Sequence, residues 1–360
     1  MAQKRVSLEF AMKITQRHCF LLTAAFSLAS AALSGATDSY RLLKEIPVGG
    51  DGGWDYLTVD SPGRRLYVSH TSVVVVIDLD KNAVVGEIAD TPGVHGIALA
   101  PDLQRGFTTN GRENKSSVVD LATLKTLSKI ETGQNPDGMI YVPGRQEVYV
   151  FNGRGQSATV IDAKAGKAVA TIPLGGKPEF AAVDVKAGRV YNNIEDTNEV
   201  VVIDTKSRTA VARWPIAPGE GASGMAFDVA HHRLFLGCSN NLMVMLDSTN
   251  GKVVATVPIG AGVDANAFDP GTQLAFASCG GDGTVTIARM DSPDKLTVVQ
   301  TLKTEPRART IALDPKTHRI YLGSAKYEAP ATQPPAGQRS RPQIVPGSFK
   351  VLVYGPDTSP

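Results

Sequence analysis

The sequence predicts an all-β fold, a seven-bladed β-propeller with four antiparallel strands in each blade. Two sequence signatures recur along the chain with a period of about 42 residues. Within each period, turn residues separate four short runs of strand-forming residues. Four short antiparallel strands in a period of this length are typical of a propeller blade, and no segment of useful length has a helical period.

The chain begins with a segment that has the organisation of a secretory signal peptide. Four basic residues precede a mostly apolar run at 19–33, and the small residues Ser34, Gly35 and Ala36 follow. A membrane anchor is the alternative, but the run is short for a span of about 20 residues. We therefore expect residues 1–36 to be a signal peptide and residues 37–360 to form the propeller, periplasmic or secreted.

The first recurring signature is an apolar residue followed by Asp after a β-branched run, with spacings of 42, 42, 42 and 43 residues. A short carboxylate can accept hydrogen bonds from backbone N–H groups in a turn. We therefore expect these aspartates to build the turn between the third and fourth strands. They are Asp78, Asp120, Asp162, Asp204 and Asp247.

The second signature is a segment such as Leu66-Tyr-Val-Ser69 or Val148-Tyr-Val-Phe151, which occurs seven times. In the third repeat it is flanked by further strand-forming runs at 139–142, 158–161 and 167–172. Glycine-containing segments separate these runs and are suited to tight turns. Seven copies predict seven blades.

The two ends of the chain are predicted to complete one blade together. The seventh repeat reaches its third strand at residues 349–353 and then stops. A segment with the sequence of an outer strand stands at the other end, at residues 42–49. Pairing these two segments closes the ring and leaves no long open edge.

With its 42-residue period, Tyr-Val segments, Val-Ile-Asp turns and Ile-Pro-Val-Gly outer strands, the chain resembles the YVTN-repeat (YncE-like) seven-bladed propellers over residues 38–355. The resemblance implies the fold and an exported protein, because this family is associated with secreted and periplasmic proteins. The matching residues are those that build blades, so the resemblance assigns no activity.

Blades six and seven depart from the repeat. Blade six has Ile287-Ala288 where the pattern predicts an Asp, and blade seven has a Pro-rich insertion at about 325–347. Proline cannot donate a hydrogen bond to a sheet. The insertion is therefore either a mobile flap or an ordered lid.

Composition excludes several functional classes. The chain has 37 Lys and Arg against 35 Asp and Glu, and cleavage after residue 36 would leave 33 against 34. A near-neutral chain argues against a nucleic-acid partner, since phosphate binding needs a basic surface. No run after the signal is long enough to span a membrane. Three cysteines are too few for a disulfide framework. We expect Cys238 and Cys279, at equivalent positions of neighbouring blades, to be free thiols.

The repeat brings distant polar residues to one mouth of the central channel. The first strand of each blade lines the channel, and the second strand returns to the same face. The strand starts are Asp55, His95, Asp137, Glu179, Ser223, Asp264 and Arg309, and strand ends on the same face include His70, Asn110 and Asn152. All of these except Ser223 form the predicted ligand-binding set.

Three interpretations of this mouth remain open. In the first, the mouth is simply hydrated, because a polar group needs only a partner or a water molecule. Alternatively, Asp55, Asp137, Glu179 and Asp264 converge on a cation such as Ca²⁺ or Mg²⁺. In the third interpretation, His70 or His95 is a base that Asp55 orients. The sequence leaves the metal and cofactor content undetermined.

The preferred functional prediction is an exported, non-catalytic binding or scaffold protein, monomeric, which recognises a small molecule or a protein at this mouth. No Gly-x-Ser-x-Gly, His-Glu-x-x-His or P-loop motif is present. The alternative is an enzyme that uses the same mouth, by analogy with propeller lactone hydrolases, lyases and quinone-cofactor dehydrogenases.

Overall fold

A computed structural model describes residues 39–328 and 342–357. The proposed signal peptide at 1–36 lies outside the described residues and stays a prediction. Within the described part of the chain, no helix has the length and apolar character needed to cross a bilayer.

The described residues form seven separate four-stranded antiparallel sheets, which confirms the predicted blades. Blade one consists of β2 (Trp54–Asp60), β3 (Arg65–His70), β4 (Val73–Asp78) and β5 (Ala83–Ile88). Blade two consists of β6 (Val94–Ala100), β7 (Arg105–Asn110), β8 (Lys115–Asp120) and β9 (Thr126–Glu131). Blade three consists of β10 (Pro136–Val142), β11 (Glu147–Asn152), β12 (Ser157–Asp162) and β13 (Lys167–Pro173). Blades four and five consist of β14 (Pro178–Asp184), β15 (Arg189–Ile194), β16 (Glu199–Asp204) and β17 (Thr209–Pro215); and β18 (Ala222–Asp228), β19 (Arg233–Cys238), β20 (Leu242–Asp247) and β21 (Val253–Pro258).

Blades six and seven contain the departures from the repeat. They consist of β22 (Val263–Asp269), β23 (Leu274–Cys279), β24 (Thr284–Ser292) and β25 (Lys295–Lys303); and β26 (Ile311–Asp314), β27 (Arg319–Ser324), β28 (Lys350–Pro356) and β1 (Tyr40–Pro47). In blade six the outer hairpin is nine residues long on each side, so its turn lies beyond Ala288. This longer hairpin explains why the repeated Asp is absent there.

The blades form a closed ring. Each of the seven inner strands contacts the inner strands of both neighbouring blades, in the order β2, β6, β10, β14, β18, β22, β26 and back to β2. The N-terminal strand β1 pairs antiparallel with β28, with Glu45 opposite Leu352 and Ile46 opposite Val351. The predicted closure by the N-terminal segment is therefore confirmed.

The hydrophobic core is divided among the interfaces between blades. The described residues form seven apolar clusters, each shared by two neighbouring blades. The aromatic residue of the second signature lies in one of these clusters in every blade and is at most 2% exposed. These residues are Tyr67, Phe107, Tyr149, Tyr191, Phe235, Phe276 and Tyr321. The residues that define the repeat are therefore those that attach one blade to the next.

The repeated aspartates have the predicted structural role. Asp78 accepts hydrogen bonds from the backbone N–H groups of Asp80 and Lys81, at 3.0 and 2.8 Å. Asp120 and Asp204 make the equivalent pairs of contacts in their own turns. Each carboxylate thus satisfies turn donors that have no partner in the sheet.

The two described cysteines, Cys238 and Cys279, are free and buried, as predicted. Burial raises the pKa of the Cys238 thiol to about 12 and that of Cys279 to about 11. Both thiols are therefore protonated at neutral pH, which makes them poor nucleophiles.

The base of the Pro-rich insertion is described on both sides. Tyr327 and Ile344 form an isolated antiparallel bridge, and Glu328 donates a backbone hydrogen bond to Gln343. Residues 329–341 lie outside the described residues, so the choice between flap and lid stays open.

Candidate functional site

The candidate site is a ring of side chains at one mouth of the channel, one from each blade. In six blades the ring residue is the second residue of the inner strand, directly after Trp54, Val94, Pro136, Pro178, Ala222 or Val263. In each of these strands the pairing register shifts at this point, as between Trp54 and Leu57. Such a bulge re-aims a side chain that regular pleating would place elsewhere. Arg309, in blade seven, lies two residues before its inner strand.

One arc of the ring is centred on His95. Its Nδ1 lies 2.7 Å from Asp55 Oδ2 and 3.5 Å from Asp137 Oδ1. Burial alone lowers the pKa of His95, but the hydrogen bond to Asp55 and the charges of Asp137, Asp55 and Glu179 together raise it. His95 therefore bridges two carboxylates, and these carboxylates favour its protonated form.

A second arc is centred on Arg309. Its Nε donates to Asp264 Oδ2 at 2.6 Å, and its Nη2 donates to Asp55 Oδ1 at 3.3 Å. Ser223 Oγ donates to Asp264 Oδ1 at 3.1 Å. Polar contacts thus run continuously from Asp137 through His95, Asp55, Arg309 and Asp264 to Ser223, which unites residues more than 170 positions apart in the sequence.

Glu179 completes the ring and is its most buried carboxylate, with 7% exposure. Lys177 Nζ lies 2.6 Å from Glu179 Oε1 and also contacts Glu195. The pKa of Glu179 is raised to about 8. Burial is the main cause and the charge of Asp137 acts in the same direction, whereas Lys177 lowers the pKa. The ion pair with Lys177 therefore only partly offsets the cost of ionising Glu179.

Two other carboxyl groups of the ring also have raised pKa values. Burial raises the pKa of Asp137, and the charges of Asp55 and Asp264 act in the same direction, against His95. Burial also raises the pKa of Asp264, although Arg309 opposes it. Four carboxyl groups thus share one mouth with two fixed cations, Arg309 and Lys177, so negative charge is in excess when all four are ionised.

The geometry permits a metal ion at one point of the ring. Ligand atoms of Asp55, His95 and Asp137 all lie within 4.8 Å of one another. Carboxylate oxygens and an imidazole nitrogen form a mixed donor set that suits Zn²⁺ better than a hard cation such as Mg²⁺. A metal here would have to displace the proton that His95 Nδ1 shares with the two carboxylates.

Below the ring, two aromatic side chains meet across the channel. The ring centroids of Tyr56 and Phe180 are 4.4 Å apart, with an interplanar angle of 52°. Burial, together with the charges of Asp137 and Glu179, raises the pKa of Tyr56 well above its ordinary value, so its hydroxyl remains protonated. Sequence reasoning missed both residues, although each directly follows a ring residue in the repeat.

Glycines make this aromatic contact possible. The position that follows the ring residue is glycine in blades two, three and five. A Cβ at Gly96 would lie 3.3 Å from Tyr56 Cδ2, and one at Gly138 would lie 2.8 Å from the backbone oxygen of Glu179. Side chains at these two positions would crowd Tyr56 and the adjoining strand.

Three of the predicted ligand-binding residues do not face the ring. Asn110 is fully buried; its side-chain amide donates to Glu113 and Ser117 and accepts from Thr108. Asn152 is fully buried and donates to Ser157 Oγ and Thr159 Oγ1. Their hydrogen bonds lie within their own blades.

His70 is the third of these residues. Its imidazole stacks on Phe349 with centroids 4.6 Å apart, and Trp54 stacks on the same phenyl ring at 5.0 Å. Burial lowers the pKa of His70. His70 therefore belongs to the packing between blades one and seven, and the structure places the other six predicted residues in the ring.

The base of the insertion lies beside the ring. The Arg307 guanidinium carbon is 4.8 Å from the centroid of the Tyr327 ring. Burial raises the pKa of Tyr327, whereas the charges of Arg307 and Arg309 lower it. Sequence reasoning located the insertion but not this contact.

Comparison with known proteins supports the fold. No protein-family model matches the chain, and no curated protein matches it significantly. Among solved structures, a chain of the Kuenenia stuttgartiensis hydrazine synthase is similar, with a TM-score of 0.67 at 18% sequence identity. The alignment covers 76% of the present chain and 92% of that chain. At this identity the likeness concerns the fold alone, and the resemblance to YVTN-repeat proteins stays a prediction.

Proposed function

We propose that the protein is an exported, non-catalytic binding propeller that takes a cationic ligand at its acidic mouth. One observation carries the proposal: Asp137 and Glu179 face the same opening, and the pKa of each is raised because the surrounding cations do not compensate for burial. A ligand cation would supply the missing compensation, lower both pKa values and release protons.

The distribution of fixed charge supports a specific position for that ligand. Arg309 lies between Asp55 and Asp264, so these two carboxylates already have a cationic partner. Asp137 has only the 3.5 Å contact to His95, which is charged only when protonated. Glu179 is paired with Lys177 at 2.6 Å, but its pKa stays raised to about 8 despite this partner. The space beside Asp137, next to Glu179, is therefore the most favourable place for an added positive charge.

The wider setting of the proposal follows from the sequence. The signal-like segment at 1–36 supports export to the periplasm or the medium. The near-neutral composition speaks against a nucleic-acid partner. We propose a monomer, because the N-terminal strand completes the last blade within the same chain.

Two measurements test this function. Native mass spectrometry of protein isolated from its own cellular compartment should reveal a retained cation or cationic molecule. Calorimetry with ZnCl₂, CaCl₂ and butylammonium chloride should then show binding that the Asp137→Asn/Glu179→Gln double variant weakens by at least tenfold.

A matched control removes the same two charges from the exposed surface, in the variant Asp90→Asn/Glu131→Gln. The side chains of Asp90 and Glu131 are 70% and 77% exposed and form ion pairs with Lys129 and Lys115. This control should bind like the wild type. An equal loss of affinity in the two variants would contradict the proposed function. So would a wild-type protein that carries no retained ligand and binds none of the three probes.

A second candidate function has one observation in its favour. The hydrogen bond of 2.7 Å between His95 and Asp55 is the arrangement of a general base and the carboxylate that orients it. A propeller enzyme of the lactone hydrolase or lyase type would use this pair. The test is turnover of lactone substrates by the wild type, by His95→Gln and by the control Asp90→Asn. Turnover that is lost in His95→Gln and retained in Asp90→Asn would favour the enzyme over the binding protein.

A further inference from the structure

A large cavity lies along the inner strands of blades one, two and three, further from the ring than Tyr56. Its volume is about 550 Å³. Most of its lining side chains are apolar, and Asp102 contributes a carboxylate. Among the lining residues are Thr58, Ile97, Leu99, Met139 and Tyr141. A cavity of this size and character is within the range that small organic ligands occupy.

A smaller cavity lies between the large one and the charged ring. Its volume is about 130 Å³, and its lining includes Tyr56, Gly96, Gly138 and Phe180. The two cavities share Thr58, Ile97 and Met139 as lining residues. Along blades one to three, each strand therefore passes the ring, then the small cavity, then the large cavity.

The two cavities lie under the arc of the ring that contains Asp137, whose described ionic contact is the one with His95. In blades one to four, the residues that line the small cavity directly follow Asp55, His95, Asp137 and Glu179. Arg309 and its closest partner Asp264 belong to blades seven and six. A molecule in the small cavity would therefore have the excess negative charge at one end and the apolar cavity at the other.

We propose that the ring between Asp137 and Glu179, together with both cavities, forms one elongated binding site for a primary alkylammonium ion. This inference rests on the proposed function, because it assumes that the mouth binds a cation, and it names the chemical class. The ammonium group donates to the two carboxylates and lies near the aromatic faces of Tyr56 and Phe180. The alkyl chain runs past Gly138 and Met139 into the large cavity.

The dimensions fit this class of ligand. A cavity of about 150 Å³ can hold a benzene molecule, so the small cavity accommodates several carbon atoms but not a long chain. The path from Asp137 to Tyr141 covers four strand residues, roughly 13 Å at 3.3 Å per residue. A metal ion would use the carboxylates and His95 but would leave both cavities without a role.

The test is calorimetric titration of the full mature chain with butyl-, hexyl- and octylammonium chloride, with 1-hexanol and ZnCl₂ as comparison probes. Affinity should rise about fourfold for each methylene that enters the cavity. Hexanol should bind at least tenfold more weakly than hexylammonium. The Asp137→Asn/Glu179→Gln variant should weaken all three amines by a similar factor.

Two further variants distinguish the parts of the site. Leu99→Trp narrows the large cavity and should weaken octylammonium binding at least tenfold while leaving butylammonium within about twofold, which also shows that the variant is folded. Asp102 accepts a hydrogen bond from Tyr141 at the far end of the large cavity. Asp102→Asn therefore tests whether the ammonium group lies at that end, and it should weaken amine binding less than the Asp137→Asn/Glu179→Gln variant does.

The outcomes separate this inference from the proposed function. Equal affinities for the three amines, or Zn²⁺ binding without amine binding, would overturn the alkylammonium site and retain a cationic mouth. A loss of amine binding in Asp102→Asn with none in the ring variant would also overturn it, because the ammonium group would then lie at the wrong end. If the amines, Zn²⁺ and Ca²⁺ all fail to bind, both proposals fail.

Discussion

Tyr56 of blade one and Phe180 of blade four meet at a centroid distance of 4.4 Å, although their blades are not neighbours in the ring. Two blades separate them on one side and three on the other. The contact therefore crosses the channel and narrows it below the charged ring. A ligand that enters at the acidic mouth has to pass beside this aromatic pair, where the small cavity lies.

The first prediction is that these two rings interact energetically. In a double-mutant cycle of Tyr56→Ala and Phe180→Ala, we expect a coupling energy of about 0.5–1.5 kcal/mol, the range for aromatic pairs. Urea unfolding of the four proteins measures it. Tyr56→Ala combined with Val185→Ala, at a residue that is 51% exposed, should be additive. Additive effects in the aromatic pair as well would mean that the rings do not touch in solution.

The fold was predictable because the sequence pattern of one blade occurs seven times along the chain. Each repeat has its own buried aromatic residue, such as Tyr67, and most have their own turn aspartate, such as Asp78. These local patterns agree with one another at a constant period, so a single weak strand assignment does not change the result. The long hairpin of blade six was not predictable, because its residues do not conform to the repeat.

The site was predictable only in part, since side-chain direction depends on the inner-strand bulges. The repeat register placed Asp55, His95 and Asp137 at one mouth, where they now make direct contacts. The register also placed Asn110 at this mouth, but the side chain of Asn110 donates a hydrogen bond to Ser117 within its own blade. Period alone fixes the end of a strand at which a residue lies, whereas the bulge and the local hydrogen bonds determine where its side chain points.

The second prediction concerns ring closure. Ile46, on the N-terminal strand β1, is 1% exposed and packs into the cluster between blades one and seven. Ile46→Ala should destabilise the protein by about 2–5 kcal/mol, the usual cost of removing a buried aliphatic side chain. Leu42 on the same strand is 44% exposed, so Leu42→Ala should cost within about 0.5 kcal/mol. Urea unfolding compares the two variants.

Deletion of residues 37–48 extends the same test. Loss of this segment removes a full ladder from blade seven and exposes the edge of β28. A truncated chain that melts at the same temperature as the mature protein would show that the N-terminal strand does not close the ring.

The third prediction concerns His70, whose imidazole stacks on Phe349 and is 5% exposed. Its pKa is lowered by burial, although the Gly52 backbone and Asp51 oppose this effect. In the folded state His70 therefore binds a proton less readily than in the unfolded state, where its pKa is about 6.5. As the pH falls through that value, the unfolded state takes up the proton first, and the free energy of unfolding decreases. His70→Phe keeps a stacked ring and removes the titration.

We expect His70→Phe to lose less stability than the wild type between pH 7 and pH 5, and to stay within about 1.5 kcal/mol of it at pH 7. Urea titrations at the two pH values give this difference. An unchanged pH dependence would mean that the imidazole is accessible to water and is protonated without cost.

The last prediction concerns the pH dependence that the mouth imposes on stability. The pKa of Glu179 is raised to about 8 from an ordinary value near 4.5, and that of Asp137 is raised as well, in both cases mainly by burial. Between the unfolded and folded pKa values, the folded state retains protons that the unfolded state has lost. The contribution of these groups is therefore fully present at low pH and is lost as the pH rises.

We expect these two carboxyl groups to lower the free energy of unfolding between pH 5 and pH 8, by up to about 1.4 kcal/mol per pH unit for each group that is titrating. Asp137→Asn/Glu179→Gln keeps the shape of both side chains and removes this effect, so its stability should fall less steeply over the range. Urea titrations at several pH values measure both slopes, and the exposed control Asp90→Asn/Glu131→Gln should follow the wild type. If the free energy of unfolding of the wild type and of the mouth variant had the same pH dependence, both carboxyl groups would titrate normally. The mouth would then be a hydrated rim that a cation does not stabilise.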